Sequence, residues 1–195
     1  MNERVIIISH NTDGQIASNA SGVKGINPDN LVITVIEGEK SVLYHQIIRF
    51  PSERNPLNQW SLPEGYKMTD CMPWYKRYNS LAHELGVDKP NYRCSGPRKN
   101  LAHGDLYLME TMTLFKDWRE RPINEGKGYE QFLFDNIHRQ LQALMREPHP
   151  VIVASPAISH TRWEIPGTVE DHIQLLLNAG FKPLKKGSDW YYFTK

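Results

Sequence analysis

Residues 125–134 of the chain, EGKGYEQFLF, decide how the rest of the sequence is interpreted. Gly126 and Gly128 stand just before Glu130 to Met145, where apolar residues recur at the spacing that buries one face of a helix. A glycine pair that opens a helix lets backbone amides approach an anion closely, and the helix dipole adds partial positive charge there. The stretch therefore predicts a pyrophosphate site, although glycines at a strand-to-helix turn often serve the turn alone.

Short apolar segments on both sides of this helix predict strands. Leu106 to Phe115 lacks glycine and proline and contains residues that favour strands, and Val151 to Ala154 has the length of a buried strand. Farther on, Val169 to Asn178 predicts a helix closed by Gly180, and Trp190 to Phe193 predicts a last strand. This order of elements predicts a mixed sheet with a ligand at a helix N-terminus.

The N-terminal half predicts further strands and an insertion. Val5 to Ile8 has the β-branched composition of a central strand, and Leu31 to Ile36 with Val42 to Phe50 predicts an antiparallel hairpin. Residues 11–30 carry the turn residues of a long loop. Six prolines interrupt residues 51–104, which we interpret as an insertion with one helix, Trp74 to Leu85.

Length and composition narrow the class of protein. A chain of 195 residues fits a single domain, 1–195, and its 23 Lys and Arg against 22 Asp and Glu give a net charge of +1. No strong overall field steers it to nucleic acid or membrane, and no apolar run or signal peptide indicates export. Two cysteines without an export signal indicate reduced thiols in the cytoplasm.

A metal site is not expected. Cys71, His83, Cys94 and His103 are separated by gaps that match none of the compact ligand pairs of structural zinc sites.

The run Gly126-Lys127-Gly128-Tyr129, with Phe132-Leu133 after it, resembles the pyrophosphate loop of the GNAT superfamily of N-acetyltransferases. Residues 175–181 and 190–193 look like that family's closing helix and strands. The resemblance implies an α/β (α+β) fold, with a mostly antiparallel sheet flanked by helices. It also implies acetyl-CoA, or another acyl-CoA, bound across two splayed strands, here Leu106 to Phe115 and Val151 to Ala154.

The resemblance also implies which residues hold the donor. Backbone amides from Gly126 through Lys127, Gly128, Tyr129 and Glu130 to Gln131 would hold the pyrophosphate, and Leu114 and Phe115 at the end of the first strand would bond the pantetheine.

Transfer of an acyl group to an amine needs a base, a donor for the oxyanion and an acid for the leaving thiolate. Glu110 lies among apolar residues of a predicted strand, on the same face as Leu108 and Met112 by alternation, and is the candidate base. His160 follows the strand Val151 to Ala154 and could act as base or acid. Tyr191 could donate the proton, although each of these residues also has an ordinary structural explanation.

Two other functions stay open. Glu125 and Glu130 beside a pyrophosphate, and Leu176 where many family members carry a tyrosine, favour a non-catalytic binding protein that retains a degenerate fold. Aromatic and basic residues in the insertion favour an enzyme that modifies nucleic acid with an unusual donor. The acceptor stays open between a small molecule, a peptide and a nucleic acid, and we expect a monomer or homodimer without a membrane partner.

Overall fold

The structure is a computed structural model that describes residues 4–10, 29–50, 52, 75–87, 93, 97–115, 123–145, 150–159 and 163–194. Its strands are β1 (Arg4–His10), β2 (Asp29–Glu37), β3 (Lys40–Phe50), β4 (Leu106–Leu114), β5 (Val151–Ala154), β6 (Trp163–Glu164), β7 (Lys182–Pro183) and β8 (Tyr191–Phe193). Its helices are α1 (Tyr75–Leu85), α2 (Pro97–His103), α3 (Ile123–Met145), α4 (Pro156–Ser159) and α5 (Val169–Asn178).

The strands form one open, eight-stranded sheet in the order β1-β2-β3-β4-β5-β8-β7, with β6 added beside β4. The paired strands are antiparallel in every pair except β4–β5 and β4–β6, which are parallel. The expected mixed α+β fold with a mostly antiparallel sheet is confirmed. Among the described residues, no helix is both long and apolar enough to cross a membrane.

Helices pack on both faces of the sheet. Because side chains alternate along a strand, Tyr107 and Met109 face one core and Leu106 and Leu108 face the other. The first core is covered by α3 and α5, with apolar side chains that include Leu133, Ile137, Leu141, Leu175 and Leu176. The second is covered by α1 and α2, which contribute Leu81, Leu85 and Leu101. Part of the predicted insertion 51–104 therefore belongs to the core.

Several predicted elements are confirmed. Strand β5 and helix α5 have the predicted bounds, and Gly180 follows α5 with a φ of 90°, in the left-handed region that favours glycine. The hairpin of β2 and β3 turns at Gly38, whose φ is 63°. Helices α2 and α4 and strands β6 and β7 were not predicted, and the predicted loop 11–30 lies outside the described residues except for the start of β2.

The prediction of a central strand for Val5 to Ile8 is wrong. Strand β1 stands at the end of the described sheet, and the side chains of Val5 and Ile7 are 45% and 48% exposed. Only Ile6 and Ile8 of this run contact the core. β-Branched residues favour any strand, so four of them in a row indicate a strand without telling how many neighbours it has.

Candidate functional site

The sheet opens between its two parallel strands. Strands β4 and β5 pair over three residues each, ending at Leu108 and Val153. Strand β5 ends one residue later, whereas β4 continues to Leu114. In open sheets with parallel strands, ligands bind beyond the carboxyl ends of those strands, where the chain leaves an opening. We call the region beyond Leu108 and Val153 the divergence of β4 and β5.

Glu110 lies in a β-bulge at the divergence. In the β3–β4 register Ile47 faces Met109 and Gln46 faces Thr111, so Glu110 is the extra residue of β4. The bulge breaks the alternation on which the predicted orientation of Glu110 depended. Leu108 contributes to the core under α1 and α2, whereas Met112 contributes to the core under α3 and α5. The Glu110 side chain itself is buried, at 2% exposure.

Strand β6 lies in the divergence. Trp163 pairs with Met112 and Glu164 with Thr113, on the edge of β4 that β5 has left. The Trp163 indole N–H donates to the backbone carbonyl of Glu110 at 3.0 Å. Its ring is buried against Phe134 and His172, with ring centroids 6.1 Å and 5.5 Å away. The chain therefore supplies its own strand where the sheet would otherwise be open.

His45 is a buried imidazole on β3, on the opposite side of the bulge, and was not among the predicted site residues. Its Nδ1 lies 2.6 Å from the carbonyl oxygen of Thr111. Because a carbonyl only accepts, Nδ1 carries the proton and Nε2 carries a lone pair. In the described part of the chain Nε2 has no hydrogen-bond partner. Burial lowers the pKa of His45 to about 4, against a smaller opposing effect of the Thr111 bond, so the imidazole is neutral at pH 7.

A histidine inside an apolar strand was the available signal for this residue. His45 and Gln46 interrupt the otherwise apolar stretch from Val42 to Ile48. A polar residue on a buried strand needs a hydrogen-bond partner, and the bulge on β4 supplies a carbonyl.

Tyr191 lies one strand away from the opening. It pairs with Ala154, the last residue of β5, and is half-buried. Burial, and then the negative charge of Asp189, raise the pKa of the Tyr191 phenol, which keeps it protonated. Ser155, the residue after Ala154, is buried, and its Oγ has no hydrogen bond to the described residues. His160, the remaining catalytic candidate, lies outside the described residues.

Asp105, at the start of β4, has a structural position. Its carboxylate accepts from Arg49 at 2.9 Å and from the backbone N–H of Ser52 at 2.8 Å. These bonds join the end of β3 to the start of β4, away from the divergence.

The predicted pyrophosphate segment is helical. Helix α3 begins at Ile123, seven residues before the predicted start at Glu130. In a helix only the first-turn N–H groups lack intrahelical acceptors. The residues from Gly128 to Gln131 therefore lie where N–H groups bond within the helix, and Gly126 and Lys127 lie closer to the helix start. The N–H groups without intrahelical acceptors are those nearest Ile123.

Contacts with the sheet hold this part of α3. The Tyr129 hydroxyl donates to Glu37, and the Arg4 guanidinium lies 4.5 Å from the centre of the Tyr129 ring. Arg4 also donates to the carbonyl of Gly128 at 3.2 Å and pairs with Glu37 at 3.3 Å. A cation therefore lies at the second predicted glycine.

The other residues predicted to bind the acyl-CoA have contacts within the protein. Glu130 is buried at 1% exposure, so its side chain lies within the protein. Gln131 donates to Asp135 at 2.8 Å and to the carbonyl of Leu175 on α5 at 3.4 Å. Leu114 is buried at the end of β4, and the N–H of Phe115 donates to Val42 on β3 at 3.0 Å.

Comparison of the chain with protein-family models, with curated proteins and with solved structures gave no match. Within the described ranges, no group of three or more His, Cys, Asp or Glu side chains is arranged to hold a metal ion. Most of the aromatic and basic residues of the insertion that suggested a nucleic-acid contact lie outside the described side chains.

Proposed function

We propose that the protein is an acyl-CoA-dependent N-acyltransferase with a GNAT-like fold, which transfers an acetyl or related acyl group to an amine. The observation that carries the proposal is the divergence of β4 and β5 beside the buried bulge at Glu110. The resemblance implied splayed strands at these two segments, with a helix between them in sequence. Helix α3 connects β4 to β5 in this way.

The residues present fit the charge of the donor. The first-turn N–H groups of α3 lack intrahelical acceptors and lie at the positive end of the helix dipole, and Arg4 lies one turn farther along, at Gly128. The edge of β4 beyond Met109 offers backbone groups to the amides of a pantetheine chain, provided that β6 makes room.

Three side chains near the divergence suit the proton transfers of this reaction. The acyl-CoA would supply an activated thioester carbonyl. Glu110 is the base that takes the proton of the attacking ammonium, directly or through water. His45 Nε2 is a second acceptor on the other side of the bulge. Tyr191, protonated at neutral pH, donates to the leaving thiolate.

Ligand binding with two variants at one position tests the proposal. A titration with acetyl-CoA and CoA should stabilise the protein by about 2.7 kcal/mol at 100 times Kd, which raises Tm by roughly 5 to 10 °C. A Cβ on Gly128 would lie 3.4 Å from the Arg4 guanidinium. Gly128→Asp should therefore pair with Arg4 and abolish the shift, whereas Gly128→Ala adds the methyl group without charge and should keep it.

A protein that shows no Tm shift with millimolar acetyl-CoA would refute the proposal. Equal shifts in the wild type and in Gly128→Asp would instead show that the pyrophosphate lies elsewhere.

Two observations favour a second candidate, a non-catalytic binding protein that retains this fold. Strand β6 occupies the divergence, and Leu176 is fully buried in the core rather than exposed to the opening. A permanently closed edge would exclude the donor. The same titration separates the candidates, since this one predicts no shift with any CoA compound.

A further inference from the structure

We infer that β6 is a displaceable strand, which closes the edge of β4 and must leave it before the donor's pantetheine arm can bind. The inference rests on the proposed function, because it concerns access to the same site. Strands β5 and β6 pair with the same edge of β4. Strand β5 pairs with it up to Leu108, and β6 pairs with it at Met112 and Thr113. An extended ligand that bonds to this edge competes with Trp163 and Glu164 for the same backbone groups.

The backbone pairing of β6 is short. Only two residues of β6 pair with β4, whereas β3 and β4 pair over eight positions. Each ladder hydrogen bond contributes little net stability because the freed groups bond to water or ligand instead. Displacement of β6 therefore breaks few of the bonds that hold the sheet.

Trp163 is the main anchor of β6. The indole N–H satisfies the carbonyl of Glu110, and the ring packs between α3 and α5 through Phe134 and His172. Glu164, the other residue of β6, is exposed. Ile165, directly after β6, is also buried in the core under α3 and α5. The balance between the closed and open edge thus depends on the burial of Trp163 and Ile165 and on the hydrogen bond from Trp163 to Glu110.

The segment that follows β6 allows it to move without unfolding α5. Gly167 has a φ of 127°, which only glycine adopts readily, and separates β6 from the helix. Helix α5 begins with its own capping box, in which Thr168 and Asp171 exchange hydrogen bonds. The first turn of α5 therefore has capping hydrogen bonds that do not involve β6, and it contacts β6 through the rings of His172 and Trp163.

A strand that must leave lowers the apparent affinity of the ligand by the fraction of molecules in which the edge is open. A variant that weakens the closed state should therefore bind the ligand more tightly. A variant that merely damaged the structure would instead bind the ligand more weakly.

The test compares CoA affinity by calorimetry in four proteins. Trp163→Phe keeps a ring but removes the donor to Glu110, and should bind CoA about tenfold more tightly than the wild type. Glu164→Pro changes an exposed side chain and removes a backbone N–H from β6, and should shift the affinity in the same direction. Trp190→Phe is the matched control. Its indole donates to Ser80 at 3.3 Å in the core under α1 and α2, so CoA affinity should stay within twofold of the wild type.

Tighter binding by Trp163→Phe and Glu164→Pro, with Trp190→Phe unchanged, supports the inference. Unchanged or weaker binding by both β6 variants overturns it and leaves the proposed function standing, since the wild type still binds CoA. Absence of CoA binding in all four proteins overturns the inference and the proposed function together. Should Trp163→Phe fail to fold, as judged by circular dichroism, Glu164→Pro decides by the same criteria.

Discussion

The indole N–H of Trp163 donates to the backbone carbonyl of Glu110 across 3.0 Å, and so joins β6 to the bulge of β4. In the β3–β4 register, Glu110 is the bulge residue, with no β3 residue opposite it. Its carbonyl accepts from Trp163, which lies on the other edge of β4. A buried carbonyl without a donor costs about 1 to 3 kcal/mol, so this bond stabilises both the bulge and the closed divergence. The candidate base and the residue that bonds to its backbone are therefore parts of one arrangement.

Replacement of Glu110 by glutamine tests its role as the base. We expect CoA affinity to stay within about twofold and acyl transfer to fall by about 10²- to 10⁴-fold, because an amide of the same shape cannot accept the proton. The measurement is thiol release from acetyl-CoA with a panel of amines. Asp105→Asn is the control, since it should lower Tm by weakening the Arg49 contact while transfer by the folded protein continues. A Glu110→Gln variant with the wild-type rate would exclude this residue as the base.

The buried imidazole of His45 should make stability depend on pH. Its pKa is about 4 in the folded protein and about 6.5 in the unfolded chain, so the unfolded state binds more protons between these values. This contribution to stability is fully present above pH 6.5 and is lost as the pH falls toward 4, by about 3 kcal/mol in total.

Urea unfolding of the wild type and of His45→Gln at pH 7.5 and pH 4.5 measures the contribution of this imidazole. Glutamine does not titrate, so the variant should lose less stability on acidification, by roughly 2 to 3 kcal/mol. Identical losses in the two proteins would show that His45 is not the group that titrates.

The sequence predicted elements whose pattern is local and regular. Strand β5 has its predicted bounds because its signal is a short β-branched run. Helix α5 has its predicted bounds because apolar residues recur at helical spacing and Gly180 follows its end. Helix α3 is longer than predicted, since glycines at positions 126 and 128 indicate a turn by propensity. The described contacts of Tyr129 and Arg4 with Glu37 hold this segment against the sheet, which local propensity does not include.

The candidate site depended on tertiary contacts that sequence patterns do not contain. The bulge at Glu110 follows from how β3 and β4 align over their whole length, so alternation along β4 alone put Leu108 and Met112 on one face, whereas they contribute to different cores. Strand β6 has only two residues, too few for a periodic pattern, and its position depends on the burial of Trp163. His45 was recognisable only as a polar interruption of an apolar strand.

Two glycines should respond in opposite ways to alanine. Gly180 has a φ of 90° and a Cβ there would lie 3.2 Å from the ring of Phe193, so Gly180→Ala should destabilise the protein by about 1 to 2 kcal/mol. Gly128 lies within α3, and the nearest atom to a new Cβ is the flexible end of Arg4 at 3.4 Å. Gly128→Ala should raise stability by about 0.5 to 1 kcal/mol, since alanine favours a helix. Thermal unfolding of both variants measures the signs, and destabilisation by Gly128→Ala would argue against a helix at this position.

Removal of the Tyr129 hydroxyl tests how α3 is held to the sheet. The hydroxyl donates to the carboxylate of Glu37, which also pairs with Arg4, so Tyr129→Phe should lower stability by about 1.5 to 3 kcal/mol. Tyr192→Phe is a matched control, because no hydrogen bond joins the Tyr192 hydroxyl to the described residues; it should change stability by less than about 0.5 kcal/mol. Tyr129→Phe should also weaken CoA binding, since a less firmly held helix start presents its amides less precisely to the pyrophosphate. Equal stability of the two variants in urea would show that the contact between Tyr129 and Glu37 does not hold α3 in solution.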